Sequence, residues 1–572
     1  MESEPGIRVV GTGGTPALRW MKTDFDIAVV GSGFGGSLTA MIARRLGHSV
    51  ILVERGRHPR FAIGESSTPL ANLLLEELAR RYDLPRLLPL AKWGSWQRTY
   101  PQIACGLKRG FTFYHHEFDK PFYHDSERGN QLLVAASPRD EIADTHWYRA
   151  DFDDFLVREA QALGVEYLDQ SKLNAVAFSG QSGQIEIERG GKTTTVRVRF
   201  IVDASGPRGF LHRALRLAEH SFENFPATQA LYSHFAGVKR WEDLAFGRST
   251  EVSTELPPYP VDDAAVHHVF TGGWIWVLRF NNGIISAGVA ATDGLANSLR
   301  FAEGEGAWNR LLERLPGVRG LFEDATLQWP FVHAPRLSFR SRTMVGPRWA
   351  LLPSAAGVVD PLLSTGFPLT LQGIERLAGI LEVGLDSPCL EERLNDYARQ
   401  TLKELDWAAK LVSALYASMN HFPLFSALSR LYFAAASFTE TARRLDRPGL
   451  AGGFLLSENP DFSRRLHSCC DTVLRVFSQG RATAAAQAFL IDEIYRTIEP
   501  FDVAGLCDRR RRNWHPVTAR DLLNACFKLG VGQEEINQLL DRCGFHGTDN
   551  SAPAPMNAAA LQGTGTCDNL SA

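Results

Sequence analysis

The stretch Phe25–Glu54, FDIAVVGSGFGGSLTAMIARRLGHSVILVE, restricts the fold of this chain more than any other. A short β-branched apolar run, Phe25–Val30, leads straight into Gly31-Ser32-Gly33-Phe34-Gly35-Gly36. Apolar residues then recur at helical spacing from Leu38 to Leu46, Gly47 stops that helix, and Ser49–Val53 reads as a second buried strand ending in Glu54. Strand, glycine turn, helix and strand in this order predict a parallel βαβ unit that holds a dinucleotide. Gly31 permits the sharp turn, Gly33 leaves room for a pyrophosphate, and Gly36 lets helix and sheet approach closely. The helix start offers free N–H groups to the phosphates. Glu54, with the adjoining Arg55, stands where a carboxylate meets ribose hydroxyls.

The rest of the chain is read around that unit. With 572 residues it can bury a large core in more than one lobe. A net charge of −3 with 44% hydrophobic and 22% charged residues gives no reason to expect nucleic-acid binding. The basic run Arg509–Arg512 is expected to be a solvated helix face. Eight cysteines without a C-x-x-C spacing point to neither a metal site nor a disulfide framework, which fits a reducing cytoplasmic setting. The most apolar long stretch, Trp349–Leu371, is broken by Pro, Gly and Asp, so no membrane span is expected.

Residues 1–22 are expected to form a flexible leader and 546–572 a disordered tail. Residues 85–147 read as an irregular, aromatic-rich insertion. Trp147–Leu163 reads as a loop entering a helix with Asp151 as its cap. Residues 171–201 read as a small meander. Between 227 and 291, period-two patterns predict an antiparallel sheet over a cleft. From about residue 386 to 545 the pattern is helical and predicts a separate α-rich lobe, with Pro448–Pro460 as a hinge. The predicted fold class is therefore α/β: a Rossmann-like domain over 23–385, an embedded sheet region near 85–147 and 210–335, and a helical C-terminal lobe.

Three further segments add to the glycine turn. Trp147-Tyr148-Arg149-Ala150-Asp151-Phe152-Asp153 resembles the arginine element of FAD monooxygenases. Asp203-Ala204-Ser205-Gly206 is similar to their D-A-S-G turn, and Ala355–Pro361 to their second flavin motif, G-D-A-A-G-x-x-D-P. Within that superfamily, of p-hydroxybenzoate hydroxylase type, the chain resembles the flavin-dependent halogenases in four places. Ile63-Gly64-Glu65-Ser66 is similar to their I-G-E-S/A loop, and Gly273-Trp274-Ile275-Trp276-Val277-Leu278-Arg279 to G-W-x-W-x-I-P. Pro361-Leu362-Leu363-Ser364-Thr365-Gly366 is similar to P-L-x-S-S/T-G. Lys108, before Gly110-Phe111-Thr112-Phe113, stands where halogenases of phenols and pyrroles carry their lysine.

The resemblance implies FAD, used as FADH2, and a halide ion, chloride or bromide. FAD would be held by Gly31, Gly33, Gly36, Glu54, Arg55, Glu65, Ser66, Arg149, Asp203, Gly206, Asp360, Pro361 and Gly366. Ser364, Thr365 and Gly366 would hold the halide, Lys108 would deliver the halogen, and Trp274 and Trp276 would separate flavin from substrate. No second G-x-G-x-x-G is present, so no separate NAD(P)H domain is expected, and the resemblance implies a separate flavin reductase as a partner. The substrate is expected to be a small electron-rich aromatic, free or bound to a carrier protein. Departures are Leu278-Arg279 for Ile-Pro, Val358 for Phe, Pro353-Ser354 for Gly-Asp, and Leu363 where tryptophan halogenases carry Glu. The last favours the phenol/pyrrole type. The pairs His115–His116 and His267–His268 are expected to be structural. Two other readings remain open: a monooxygenase or reductase of the same fold that uses no halide, and a non-catalytic flavoprotein whose helical lobe binds a partner.

Overall fold

The computed structural model describes residues 23–245, 255–479 and 482–545; the expected leader and tail lie outside them. Strand Asp24–Val30 lies between Lys192–Asp203 and Val50–Val53, parallel to both. Glu166–Leu168 extends the parallel sheet on one side and Trp349–Leu351 on the other. Its central strands are buried on both faces, which is why they read as unbroken apolar runs. Ser171–Ser179 and Ser182–Arg189 form, with Lys192–Asp203, the expected meander as an antiparallel arm.

A second sheet forms the roof. Its order runs Thr228–Ala236, Ile284–Thr292, Gly273–Arg279, Ala265–Phe270, Gly110–His115, Gln131–Ala135. Strand alternation divides its side chains. Trp274, Trp276 and Leu278 join the core shared with the parallel sheet, while Ile275 and Val277 face a second core behind the roof. Residues 85–147 are thus not an irregular insertion: they hold helix Trp93–Thr99 and four strands, of which Gly110–His115 and Gln131–Ala135 are interior to the roof. Gly110–His115 runs parallel to Ala265–Phe270, a pairing between segments far apart in the chain. A separate two-stranded ribbon pairs Cys105–Lys108 with Asp144–Trp147, setting Lys108 opposite Asp144.

The helical region is not a separate lobe. Helices Leu390–Ser418 and Phe422–Arg444 contribute to the same continuous core as the first sheet. Phe422–Arg444 packs against helix Pro69–Arg81, and Arg443 ties Glu77 to Glu375 across that junction. Trp514-His515 adds a short parallel strand to the roof, beside Leu133 and Val134. The segment expected as a hinge is a buried connection: Phe454, Leu455 and Leu456 are buried, and Glu404 accepts the N–H of Phe454 at 2.8 Å. Asp151 is not a cap. Helix Arg149–Ala162 starts before it, and its carboxylate accepts the N–H of Ala104. The Arg509–Arg512 run is an ion-paired strap, with Arg509 on Asp492, Arg511 on Asp521 and Arg512 on Glu255.

Candidate active site

Between the two sheets lies a cleft of about 1150 Å³, lined at one end by Gly31, Gly33, Glu54 and Arg55. Gly31 has φ +93°, and a Cβ there would stand 2.7 Å from the backbone of Ala204. A Cβ on Gly36 would be 1.9 Å from the carbonyl oxygen of Gly31. Both positions therefore admit glycine alone. Glu54, at the tip of the second strand, accepts the N–H groups of Ser32 at 3.0 Å and Gly56 at 2.8 Å and pairs with Arg60 at 3.3 Å. Burial raises its pKa, but Arg60 and those donors more than offset this, so Glu54 stays charged.

The loop Ile63–Ser66 crosses the cleft. Arg149 holds it: the guanidinium is bidentate to Asp153 at 2.8 and 2.7 Å and donates to the carbonyl of Gly64 at 3.0 Å. Glu65 Oε1 pairs with His234 Nε2 at 2.9 Å, with both side chains buried, while Glu65 Oε2 is buried without a partner. Asp203 does not line the cleft. Its carboxylate accepts the N–H groups of Ser205 and Leu211, so its part is to fix the turn that presents Ala204, Ser205 and Gly206. Asp360 lines the cleft, but both its oxygens are also committed. One accepts the N–H of Leu362 at 2.9 Å and the other the hydroxyl of Tyr416 at 2.8 Å. Burial pushes its pKa up to about 7. Pro361, Ser364, Thr365 and Gly366 follow along the wall, with Ser364 in the left-handed region at φ +52°.

A glycine turn that a Cβ would fill, a carboxylate at the end of the second strand and an orphaned buried Glu65 oxygen in the same cleft fit a bound dinucleotide such as FAD.

Trp274 and Trp276 stand on the cleft side of their strand with ring centroids 5.6 Å apart. Trp276 lies across Gly288, where a Cβ would meet its ring at 2.4 Å. Behind them is Lys108, fully buried. Its ammonium donates to the hydroxyl of Ser66 at 2.8 Å and to the carbonyl of Ser67, and lies 3.8 Å from the ring centre of Phe111. Burial pushes its pKa down, and the Asp144 charge partly opposes this. Asp144 is pushed up by burial, with Glu440 adding to the effect. Gly106 makes this placement possible, because its strand presses on the end of the Trp strand: a Cβ there would stand 2.0 Å from the carbonyl oxygen of Arg279. Arg279 itself is spent on Asp262 and the carbonyls of Val238 and Lys239.

A second cavity of about 200 Å³ lies between the roof, helix Pro69–Arg81 and helix Phe422–Arg444. Phe111, Tyr432 and Phe433 give it aromatic walls, and Asn72, Asp144, Glu440 and Arg444 are among its polar members. Lys108 itself lines neither space; Ser66, to which it donates, is in the wall of the cleft, while Phe111 under its ammonium and its cross-strand partner Asp144 are in the wall of this cavity.

Sequence reasoning missed Asp144, Tyr416, His234 and Arg60, whose positions follow from register and packing between distant segments. His267, expected to be structural, lines the cleft 5.2 Å from Trp274. Burial and the Lys108 charge hold its pKa down, to about 3. His116 and His268 bond to each other behind the roof, away from the cleft. Among the described residues no cluster suits a metal ion, and no helix is long and apolar enough to cross a membrane.

A family model for tryptophan halogenase matches residues 144–420. Monodechloroaminopyrrolnitrin halogenase PrnC of Pseudomonas fluorescens is 29% identical over 424 residues, 73% of this chain and 72% of that one. Tetracycline 7-halogenase of Kitasatospora aureofaciens is 28% identical over 424 residues, 72% of this chain and 73% of that one. The crystal structure of halogenase PltM superposes with a TM-score of 0.75 at 25% identity, covering 85% of this chain and 99% of that one.

Proposed function

Because the chain belongs to the flavin-dependent halogenase family, we propose that it halogenates a small electron-rich aromatic of phenol or pyrrole type, with Lys108 as the group that passes on the halogen. Bound FAD, reduced by a separate reductase, supplies with dioxygen and chloride or bromide a hypohalous acid. The protein's part is to hold the cofactor, keep its oxidant from the acceptor until it reaches Lys108, and orient the transfer. Gly31, Gly33, Gly36, Glu54 and Arg55 hold the adenosine and phosphate end. Glu65, Ser66, Arg149, Gly206, Asp360, Pro361 and Gly366 shape the remainder, Asp203 acting through its turn. Backbone N–H groups at Ser364–Gly366, at a helix start, suit the halide. Trp274 and Trp276 wall off direct contact between flavin and acceptor.

The observation that carries this reading is the position of Lys108: a fully buried ammonium that bonds Ser66 in the wall of a dinucleotide-sized cleft and lies over Phe111 in the wall of an aromatic-walled cavity. A solvated loop lysine has no such setting. Desolvation lowers its pKa and leaves its N–H groups free of competing water, as proton delivery to a departing oxygen requires. The relatives' names support the acceptor class, since they refer to an aminopyrrolnitrin, a tetracycline and, at 23% identity, a pyrrole carbonyl on a peptidyl carrier protein. The acceptor here is taken to be free or carried on such an arm.

The test is product formation from a panel of phenols and pyrroles with reduced FAD, with and without chloride or bromide. Halide-dependent products are expected, and Lys108→Ala should lower their formation at least about 100-fold while FAD titrations stay within a few-fold of wild type. Oxygenated products at equal rate without halide would overturn the reading.

A further inference from the structure

We propose that Asp144 is the acceptor-side base of this enzyme, receiving the O–H or N–H proton of the aromatic bound in the second cavity while its cross-strand partner Lys108 serves the halogen. The inference rests on the functional reading above and adds to it the chemistry of the acceptor: a ring bearing a hydrogen-bond donor directed at a carboxylate.

Three observations carry it. Asp144 is 93% buried by its 7% exposure, and only one of its oxygens is satisfied: Oδ1 accepts from Asn72 Nδ2 at 2.8 Å, while Oδ2 is buried with no partner. A buried carboxylate oxygen left open calls for a donor, and Asn72 Oδ1 and Ser137 Oγ in the same wall are open as well. Asp144 forms part of the wall of the aromatic-lined cavity, and a cavity of about 200 Å³ is large enough for a single aromatic ring, since about 150 Å³ of dry cavity accepts benzene. The ribbon register sets Asp144 directly opposite Lys108, and the Lys108 ammonium lies over Phe111 of the same cavity wall, so the donor-seeking oxygen and the amine stand on neighbouring strands beside one cavity. The other groups facing Asp144 are Tyr432, Glu440 and Arg444 on helix Phe422–Arg444. Burial raises the carboxyl pKa, which makes the carboxylate a stronger base than a solvated aspartate.

The chemistry balances with hypohalous acid as co-reactant. The ring carbon forms its bond to the halogen as the halogen–oxygen bond breaks. The electron pair of that bond goes to oxygen, which takes a proton from the Lys108 ammonium and leaves as water. Asp144 takes the proton of the acceptor O–H, giving a neutral dienone. Loss of the ring C–H proton to the Lys108 amine and return of the Asp144 proton to oxygen restore the aromatic ring and both side chains.

The experiment compares wild type, Asp144→Asn, Asp144→Ala and Asp144→Glu as full-length protein. In calorimetric titrations of the FAD-free protein, wild type is expected to bind a phenol about tenfold more tightly than its methyl ether, and Asp144→Ala to bind the two equally. In turnover with reduced FAD and bromide, the wild-type kcat should fall on the acid side as Asp144 protonates and on the basic side as Lys108 deprotonates. Asp144→Asn should lower kcat about 100-fold and abolish the acid limb. Its basic limb should move to lower pH, because the carboxylate no longer supports the ammonium. Asp144→Glu should restore the acid limb. Wild-type halogenation with an unchanged acid limb in Asp144→Asn, or an undiminished phenol preference in Asp144→Ala, overturns this proposal and leaves the functional reading standing. A wild type that halogenates no phenol or pyrrole overturns both.

Discussion

At the residue scale, the site is built from charged groups that burial has shifted and a few partners have tamed. Glu54 and Asp360 show the two outcomes. Glu54 collects Arg60 and two backbone donors, and remains an ordinary charged carboxylate despite its burial. Asp360 has the Leu362 N–H and the Tyr416 hydroxyl, and burial wins. Its folded-state pKa stands above the unfolded value, so the folded chain binds more protons between the ordinary aspartate value of 3.8 and about 7. Stability contributed by this group is therefore present at low pH and declines as pH rises through that window. Asp360→Asn should remove that decline. Thermal melts of the FAD-free variant at pH 5 and pH 8 should differ less than those of wild type, and an equal difference would count against the assignment.

At the element scale, short ribbons and close glycines do the positioning. Strand Cys105–Lys108 brings Lys108 into the interior only because Gly106 lets it touch the end of the strand carrying Trp274 and Trp276. Gly106→Ala forces a Cβ against the Arg279 carbonyl at 2.0 Å, which neither backbone can yield without moving. The expected cost is about 1–3 kcal/mol of stability. Because the displaced element carries Lys108 and not the glycine turn, halogenation should drop at least about tenfold while FAD affinity stays within about threefold. Urea unfolding together with flavin titration reads both quantities, and parallel losses in the two would show that the ribbon does not act independently of the cofactor cleft. The departure at Leu278-Arg279 is explained at this scale as well. Arg279 closes the strand by bonding Asp262 and the carbonyls of Val238 and Lys239, which joins the roof's end to a neighbouring turn.

At the scale of the whole molecule, the helical C-terminal region completes both cavities instead of standing apart. Tyr416 from one helix holds Asp360 in the cleft wall, while Tyr432, Phe433 and Glu440 from the next form a wall of the second cavity. Their apolar faces share one core with the first sheet. A chain truncated after residue 389 would expose those faces, so it is expected to be insoluble or unfolded, and the full chain to melt in a single calorimetric transition. Two resolved transitions, or a soluble truncated form that still binds FAD, would show that the helical region is separable.

What the sequence determined by itself was everything encoded within a short window. Gly31, Gly33 and Gly36 between two apolar strands, Glu54 at the end of the second, and the period-two alternation that put Trp274 and Trp276 on one face all follow from local backbone geometry and strand periodicity. Pairing between distant segments was not legible. The Lys108–Asp144 register, the parallel insertion of Gly110–His115 beside Ala265–Phe270, and the reach of Tyr416 to Asp360 depend on which surfaces meet once the core closes. No local pattern records that choice, because hydrophobic burial is non-directional and fixes only that a face is covered, not by what. The handle for the cofactor was therefore readable in one stretch of sequence. The burial of Lys108 against wall residues of both cavities, Ser66 and Phe111, from which its proposed chemistry follows, was decided by the tertiary structure alone.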